Sequence, residues 1–207
     1  MTKLYHALKA SYGNKQGLRQ LERDGYQRDN ELSNHNQQIY FNKKNNTLLN
    51  TISGTHNLND VGTDLYLAFG KLKDTQRYKE AKSILEKAKR KYHPKESKVV
   101  GHSLGSSIAQ YVSGRQDKVT TLDGGTTIGQ KSRTNAINYR TKGDVVSALG
   151  INQKHTQNLN NGNIITRNKG SILGSIVGGP VGFVAGSIYD AVDNHKVDKI
   201  KNNQIFI

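Results

Sequence analysis

The sequence predicts an α/β fold, with strands and helices alternating along the chain. Three observations predict it. A β-prone run at 97–100 enters a tight turn at 101–105, which leads into an apolar, small-residue helix at 106–113. Further strand candidates follow at 118–122 and 135–139. A hairpin and a long amphipathic helix come before all of these. That order is the mark of a sheet with crossover helices.

In chain order, residues 3–34 read as polar helix. Leu4, Leu8, Leu18 and Leu21 are its intermittent apolar positions, and Gly13, Gly17 and Gly25 break it into pieces. Residues 38–41 and 47–52 read as strands joined by a polar turn at 42–46, hence a hairpin. A loop at 53–57 leads to a helix expected at 60–71. A longer helix is expected over 74–92, where Tyr78, Ala81, Ile84, Leu85 and Ala88 recur at three-and-four spacing before Pro94 stops it.

At 207 residues the chain suits one domain, or one domain with an appendage. Only 33% of residues are hydrophobic, which argues against a multi-pass membrane protein, yet charged residues are just 23%. The polar remainder is rich in Asn, Gln, Ser, Thr and Gly, residues that suit turns and caps around a modest core. With no cysteine, disulfides, thiol nucleophiles and Cys-ligated zinc are excluded. The histidines lack ligand spacing and the acidic residues form no calcium loop, so no metal is expected.

Thirty-one Lys and Arg against sixteen Asp and Glu leave a formal charge of +15. Such a balance attracts anionic partners: phospholipid headgroups, nucleic acid or an acidic protein. The short clusters Lys43-Lys44 and Lys87-Ala88-Lys89-Arg90-Lys91 read as solvated faces. No zinc-finger spacing, aromatic RNA-binding run or long basic arm is present, so a specific nucleic-acid partner is not expected. No apolar core of signal-peptide length follows Met1, so classical secretion is not expected either.

The motif that carries chemistry is Gly101-His102-Ser103-Leu104-Gly105, which fits G-x-S-x-G. A nucleophilic serine must project from a turn too tight for neighbouring side chains, hence a glycine two residues to either side. The helix that follows aims its N-terminal amides at a developing oxyanion. Here a β-prone run precedes the motif and an apolar helix follows it, which is the context it requires.

The run from Val99 to Ala109 resembles the nucleophile elbow of the class 3 lipases, the fungal-lipase-like branch of the α/β-hydrolases. Upstream, Ile52-Ser53-Gly54-Thr55 followed by Asp60 and Asp64 is similar to that family's strand, oxyanion turn and acidic helix start. Downstream, the stretch from Arg140 to Leu149 looks like its acid-bearing loop. The resemblance covers roughly residues 35–150 and again the region near 195. It departs from the family where Ser106 stands at a common glycine position, and the chain is short for a full lipase.

The resemblance implies a compact α/β-hydrolase sheet flanked by helices. Ser103 would attack an ester carbonyl, the amides of Thr55 and Leu104 would hold the oxyanion, and the Thr55 hydroxyl could add a bond. Asp144 would orient the general base. Only His155 and His195 follow the acid. His195, in Asp193-Asn194-His195-Lys196, looks like the family's C-terminal histidine entering a final helix and is preferred. Asp123 is a reserve acid whose alternative role is turn formation. His102 is expected to point away and support packing. His56 reads as a surface residue beside the oxyanion turn, and His6, His35 and His93 carry no constellation. Asp60 and Asp64 read as structural. A Ser-His-Asp hydrolase of this kind needs no cofactor.

Residues 171–188 contain no charge, and Gly170, Gly174, Gly178, Gly182 and Gly186 recur every fourth position. On a helix this makes a smooth stripe that lets another backbone approach. Gly179-Pro180 interrupts it, so two short helices at 171–178 and 180–193 are the simplest form. The expectation is a glycine-zipper helical hairpin or a membrane-active segment. Residues 1–165 and 193–207 would then form the hydrolase domain, with 166–192 inserted between acid and base. The function expected is a serine esterase or lipase acting on glycerolipid or phospholipid esters at an anionic membrane surface. The alternative is a non-catalytic, lipase-like structural or membrane-penetration protein, such as a minor virion component with a capsid or other protein partner.

Overall fold

Successive residues of a strand face opposite ways, so a strand covered by helices on both sides needs apolar residues at consecutive positions. Leu48-Leu49 and Val99-Val100 meet that need, and all four are fully buried. They belong to the middle of a seven-stranded sheet in the computed structural model, which describes residues 1–56, 72–125, 133, 135–141, 144, 155–159 and 195–207. The helix expected at 60–71, with Asp60 and Asp64, and the glycine-rich segment at 166–192 lie outside the described residues.

The strands are β1 (Gln27–Asp29), β2 (Gln37–Asn42), β3 (Thr47–Ile52), β4 (Glu96–His102), β5 (Lys118–Leu122), β6 (Ala136–Thr141) and β7 (Thr156–Leu159). They lie side by side in sequence order. β1, β2 and β3 pair antiparallel, and β3 through β7 pair parallel. The helices are α1 (Leu4–Ser11), α2 (Lys15–Arg23), α3 (Gln76–Tyr92) and α4 (Leu104–Val112), with short 3-10 turns at Leu72–Asp74 and Val197–Ile200. The predicted α/β class is therefore the observed one, as a mixed sheet.

One face of the sheet, including Ile39, Leu48 and Val99, packs against Ala81, Leu85 and Ala88 of α3 and Ile108 and Ala109 of α4. The other, including Tyr40, Leu49 and Val100, packs against Leu4, Leu8 and Leu21 of α1 and α2 and against Val197 and Ile200. Some of the polar side chains buried in the sheet are bonded to one another. Gln37 Nε2 donates to Asn50 Oδ1 at 3.0 Å, and Thr121 Oγ1 to Asn138 Oδ1 at 2.6 Å.

Where residues 3–34 were expected to be helical pieces separated by Gly13, Gly17 and Gly25, two helices cross and a strand follows. Gly13 and Gly25 end the helices at φ +71° and +87°. Gly17 lies inside α2, where a Cβ would stand 2.5 Å from the Ala10 amide nitrogen, so it permits the close crossing. The hairpin forms as read, with register Asn42 to Thr47 through Gln37 to Ile52. Helix α3 starts two residues later than expected, capped by Thr75, whose hydroxyl accepts from the Tyr78 amide at 3.2 Å. It closes on His93 in the left-handed region just before Pro94. Its basic run is more than a solvated face. Lys89 meets Asp117 at 2.6 Å and Lys91 meets Asp29 at 2.8 Å, tying the helix to the turn before β5 and to the last residue of β1.

The chain's last residues return to its first helix. Phe206 bridges Lys3, the Leu4 amide donates to Ile205 O at 2.9 Å, and Tyr5 Oη donates to Asp198 at 2.9 Å. Residues 195–207 are thereby fixed against α1.

Candidate active site

A parallel sheet gathers the residues that follow its strands at one edge, and this is where open α/β folds place ligands. Here Ser103 follows β4, Asp123 follows β5, and Asp144 lies three residues beyond β6. His155 precedes β7 instead, exposed at the end by which that strand enters the sheet. His195 is buried against Asp144, its Nδ1 2.5 Å from Asp144 Oδ2. The fold thus brings His195, and not His155, to the acid. It does so by packing a 3-10 turn on α1 where a final helix was expected.

Ser103 adopts φ 55°, ψ −126°, a conformation that costs a non-glycine residue about 1–3 kcal/mol and persists only where the surroundings enforce it. The enforcement is local. The Ser103 amide donates to Leu122 O at 3.0 Å, and its carbonyl accepts from the Ser106 amide at 2.9 Å. A Cβ at Gly101 would lie 2.4 Å from Gly105 O, and one at Gly105 would lie 2.3 Å from the carbonyl oxygens of Ile52 and Ser53. Ser106, at the departure from the usual glycine, has a reason to be there. Its hydroxyl lies 2.9 Å from both Gly101 O and Leu122 O, bridging β4 and β5. Gly124 makes the space, since a Cβ there would meet Ser106 Cβ at 2.4 Å.

The Ser103 side chain is 1% exposed overall, and its hydroxyl has no hydrogen-bond partner among the described residues. The same holds for His195 Nε2 and for the Thr55 hydroxyl. Gly54 lies directly against the serine, for a Cβ on it would fall 2.7 Å from Ser103 Cβ. Leu104 opens α4, so its amide belongs to a first turn without intrahelical acceptors. The expected oxyanion residues therefore sit on the two segments that meet at the serine.

His102 does more than support packing. Its Nε2 lies 2.9 Å from the His195 carbonyl, so it donates there, leaving Nδ1 to accept from Tyr12 Oη at 2.6 Å. Tyr12 in turn accepts from the Gly54 amide at 2.7 Å. One directed chain runs from the Gly54 amide through Tyr12 and His102 to the backbone of His195. Burial, reinforced by the neighbouring His195, holds His102 well below the usual histidine value, which keeps this tautomer neutral.

Burial opposes the His195 cation too, but the charge and hydrogen bond of Asp144, with Asp123 behind, outweigh it and raise the imidazole above its ordinary value. Asp123 is pushed up to about 8, first by burial and then by the charge of Asp144. Its Oδ1 accepts from the Thr141 amide at 2.5 Å and its own φ is +50°, so it does form a turn. Ligand atoms of His102, Asp123 and His195 lie within 4.8 Å of one another, a gathering that sequence spacing did not show. Both nitrogens of His102 and Nδ1 of His195 are already engaged. What is left, His195 Nε2 and Asp123 Oδ2, suits proton transfer better than a full ligand set.

Between an ordinary aspartate value of roughly 4 and about 8, the folded chain keeps on Asp123 a proton that the unfolded chain has lost. Stability therefore falls as pH rises across that window. Asn tolerates the left-handed turn and keeps an acceptor for Thr141. Asp123→Asn is accordingly expected to melt higher than the parent at about pH 8 and to show a shallower loss of Tm from about pH 5 upward. His195, whose raised value also favours the fold at lower pH, adds to the remaining slope, and His102, held low by burial, acts against it. An unchanged slope in the variant would assign the titration elsewhere.

Sequence reading missed Tyr12 and Arg77. Tyr12 gives no local signal. Arg77 does give one: a cation in the first turn of a helix opposes the dipole, so it stands there for another reason.

Among solved structures the chain is similar to fungal lipases. Lip2 lipase from Yarrowia lipolytica is 16% identical over 72% of each chain, with a TM-score of 0.48. Lipase II from Rhizopus niveus is 13% identical over 72% of each chain, at 0.43. A triacylglycerol lipase from Penicillium expansum is 14% identical, covering 76% of this chain and 79% of its own, at 0.43. No family model matches the sequence, and no curated protein matches it.

Proposed function

We propose that the protein is a serine esterase that hydrolyses carboxylic esters, with glycerolipid or phospholipid esters as its substrate class. The observation that carries this is the buried His195–Asp144 pair, whose imidazole lies 4.8 Å, ring centre to ring centre, from that of His102, the residue before the elbow serine. With Nδ1 held by Asp144, His195 presents its unspent Nε2 as a base, and the Ser103 hydroxyl is equally unspent. The two make no hydrogen bond to each other, and contacts of this kind tighten when substrate binds.

In the proposed cycle Ser103 Oγ attacks the ester carbonyl carbon while His195 Nε2 takes the hydroxyl proton. Asp144 stabilises the imidazolium across the Nδ1 hydrogen bond. The carbonyl oxygen, now an anion, receives hydrogen bonds from the amides of Leu104 and Thr55 and from the Thr55 hydroxyl. Collapse breaks the ester C–O bond, and the alcohol leaves with the proton from His195. Water then repeats the sequence on the acyl-serine and releases the acid. The +15 charge supports an anionic lipid surface as the place of reaction, since each Lys or Arg near such a surface contributes about 1 kcal/mol.

A p-nitrophenyl alkylphosphonate tests this reading. Ser103 is expected to be phosphonylated with release of one p-nitrophenol per chain, and mass spectrometry of the peptide locates the adduct. The base must be neutral to act, and His195 is raised, so the labelling rate should climb with pH through a midpoint above the ordinary histidine value of about 6.5. Labelling elsewhere, or none, removes the assignment.

A further inference from the structure

Arg77 projects from the first turn of α3 onto the oxyanion turn. Its Nη2 donates to the carbonyl of Ser53 and, at 3.1 Å, to the carbonyl of Gly54. It makes no ion pair with a carboxylate among the described residues, and its Nε is buried without a partner there. A guanidinium placed this way is costly, because no opposite charge among the described residues offsets its desolvation. Burial lowers its proton affinity, with only Tyr12 nearby acting to restore it.

The geometry of the peptide bond gives the placement a consequence. In a planar trans peptide the carbonyl and the amide N–H point in opposite directions. The Gly54 carbonyl and the Thr55 amide belong to one such unit, so fixing the Gly54 oxygen fixes the Thr55 N–H away from Arg77. The Gly54 amide on the other side is held by Tyr12 at 2.7 Å. The turn is thereby clamped on both faces where it touches Ser103. A cation at the carbonyl end also polarises the peptide and leaves more positive charge on its N–H.

We infer that Arg77 is a positioning residue for ester hydrolysis, aiming the Thr55 amide at the oxyanion through the Ser53 and Gly54 carbonyls. The inference rests on the esterase reading and deepens it. Arg77 touches no reacting atom, so its effect is confined to states in which the carbonyl oxygen bears charge.

The test compares the full chain with Arg77→Met and Arg77→Lys, using p-nitrophenyl butyrate as substrate and phenylboronic acid as a tetrahedral, anionic mimic. For Arg77→Met, kcat is expected to fall about 10–100-fold with KM little changed, as loss or misdirection of one oxyanion donor would produce. Phenylboronic acid affinity should fall in parallel. Arg77→Lys keeps the charge without the two-carbonyl reach and should recover part of both losses. The midpoint of the pH profile should be the same in all three, since His195 is untouched. Equal kcat in parent and Met variant overturns the inference, as does a KM rise alone. A variant that does not fold, judged by circular dichroism, would assign Arg77 to scaffold stability and overturn it too. A parent chain that neither turns over substrate nor labels at Ser103 would instead remove the esterase reading itself.

Discussion

Replacing Ser103 with alanine is expected to reduce turnover of p-nitrophenyl butyrate by on the order of 10^4–10^6-fold, to whatever the oxyanion donors alone sustain. The size follows from the proposed role: without the oxygen no acyl-serine could form, and neither His195 nor Asp144 would have a proton transfer to perform. What makes the substitution a clean test here is its small structural cost. The Ser103 hydroxyl bonds to nothing among the described residues, so removing it leaves no orphaned partner. The hydrogen bonds that hold the residue run through its amide and carbonyl, which alanine keeps. Alanine also meets the same φ of 55° that serine tolerates. The variant should therefore melt within a few degrees of the parent. Loss of turnover with an unchanged melting curve assigns the chemistry to Ser103; retained turnover would mean that another group hydrolyses the ester.

The elements that were legible in the sequence are those whose pattern is local. Gln37–Asn42 and Thr47–Ile52 combine β-prone residues with a four-residue polar link, and α3 carries its apolar face at helical spacing. The elbow was legible because sterics act within five residues, and the clashes a Cβ would meet at Gly101 and Gly105 show why only glycine serves. β1 and β7 were not legible. Both are short, polar strands at the sheet's two edges, where exposure removes the alternation that marks a half-buried strand. The C-terminal turn was read as a helix because its capping and length depend on docking against α1, through contacts 189 and 193 residues apart.

The candidate site divides the same way. Ser103 follows from a motif, whereas the Asp144–His195 contact spans 51 residues and became readable only through a family resemblance. Tyr12 and His102 lie 90 residues apart in sequence. Nothing in either neighbourhood encodes their bond, because it depends on where α1 crosses the end of the sheet. His102 was read from its place inside the elbow as a packing residue. Its two nitrogens instead join Tyr12, and through it Gly54, to the backbone of His195, a link visible only once three segments meet.

Gly105→Ala is expected to damage the protein at the point where fold and site coincide. The added methyl would approach two backbone carbonyl oxygens, those of Ile52 and Ser53, to 2.3 Å. Neither belongs to a side chain that could rotate away. Relief requires α4 to move off the end of β3, and overpacking against backbone should cost about 3 kcal/mol or more. For a chain of this size that corresponds to a fall in Tm of roughly 6–12 °C. Turnover should fall further than stability, because the displaced groups are the Leu104 amide on one side and the turn bearing Thr55 on the other. Gly114→Ala is the matched control: its Cβ would meet only side-chain atoms, Asp117 Oδ2 at 3.5 Å and Lys89 Nζ at 3.8 Å, both ordinary contacts. Melting curves and p-nitrophenyl butyrate turnover for the two variants separate the cases. Equal Tm for Gly105→Ala and the parent would show that α4 can withdraw from β3 without cost, and the packing that presses the oxyanion turn against Ser103 could not then be what fixes the site.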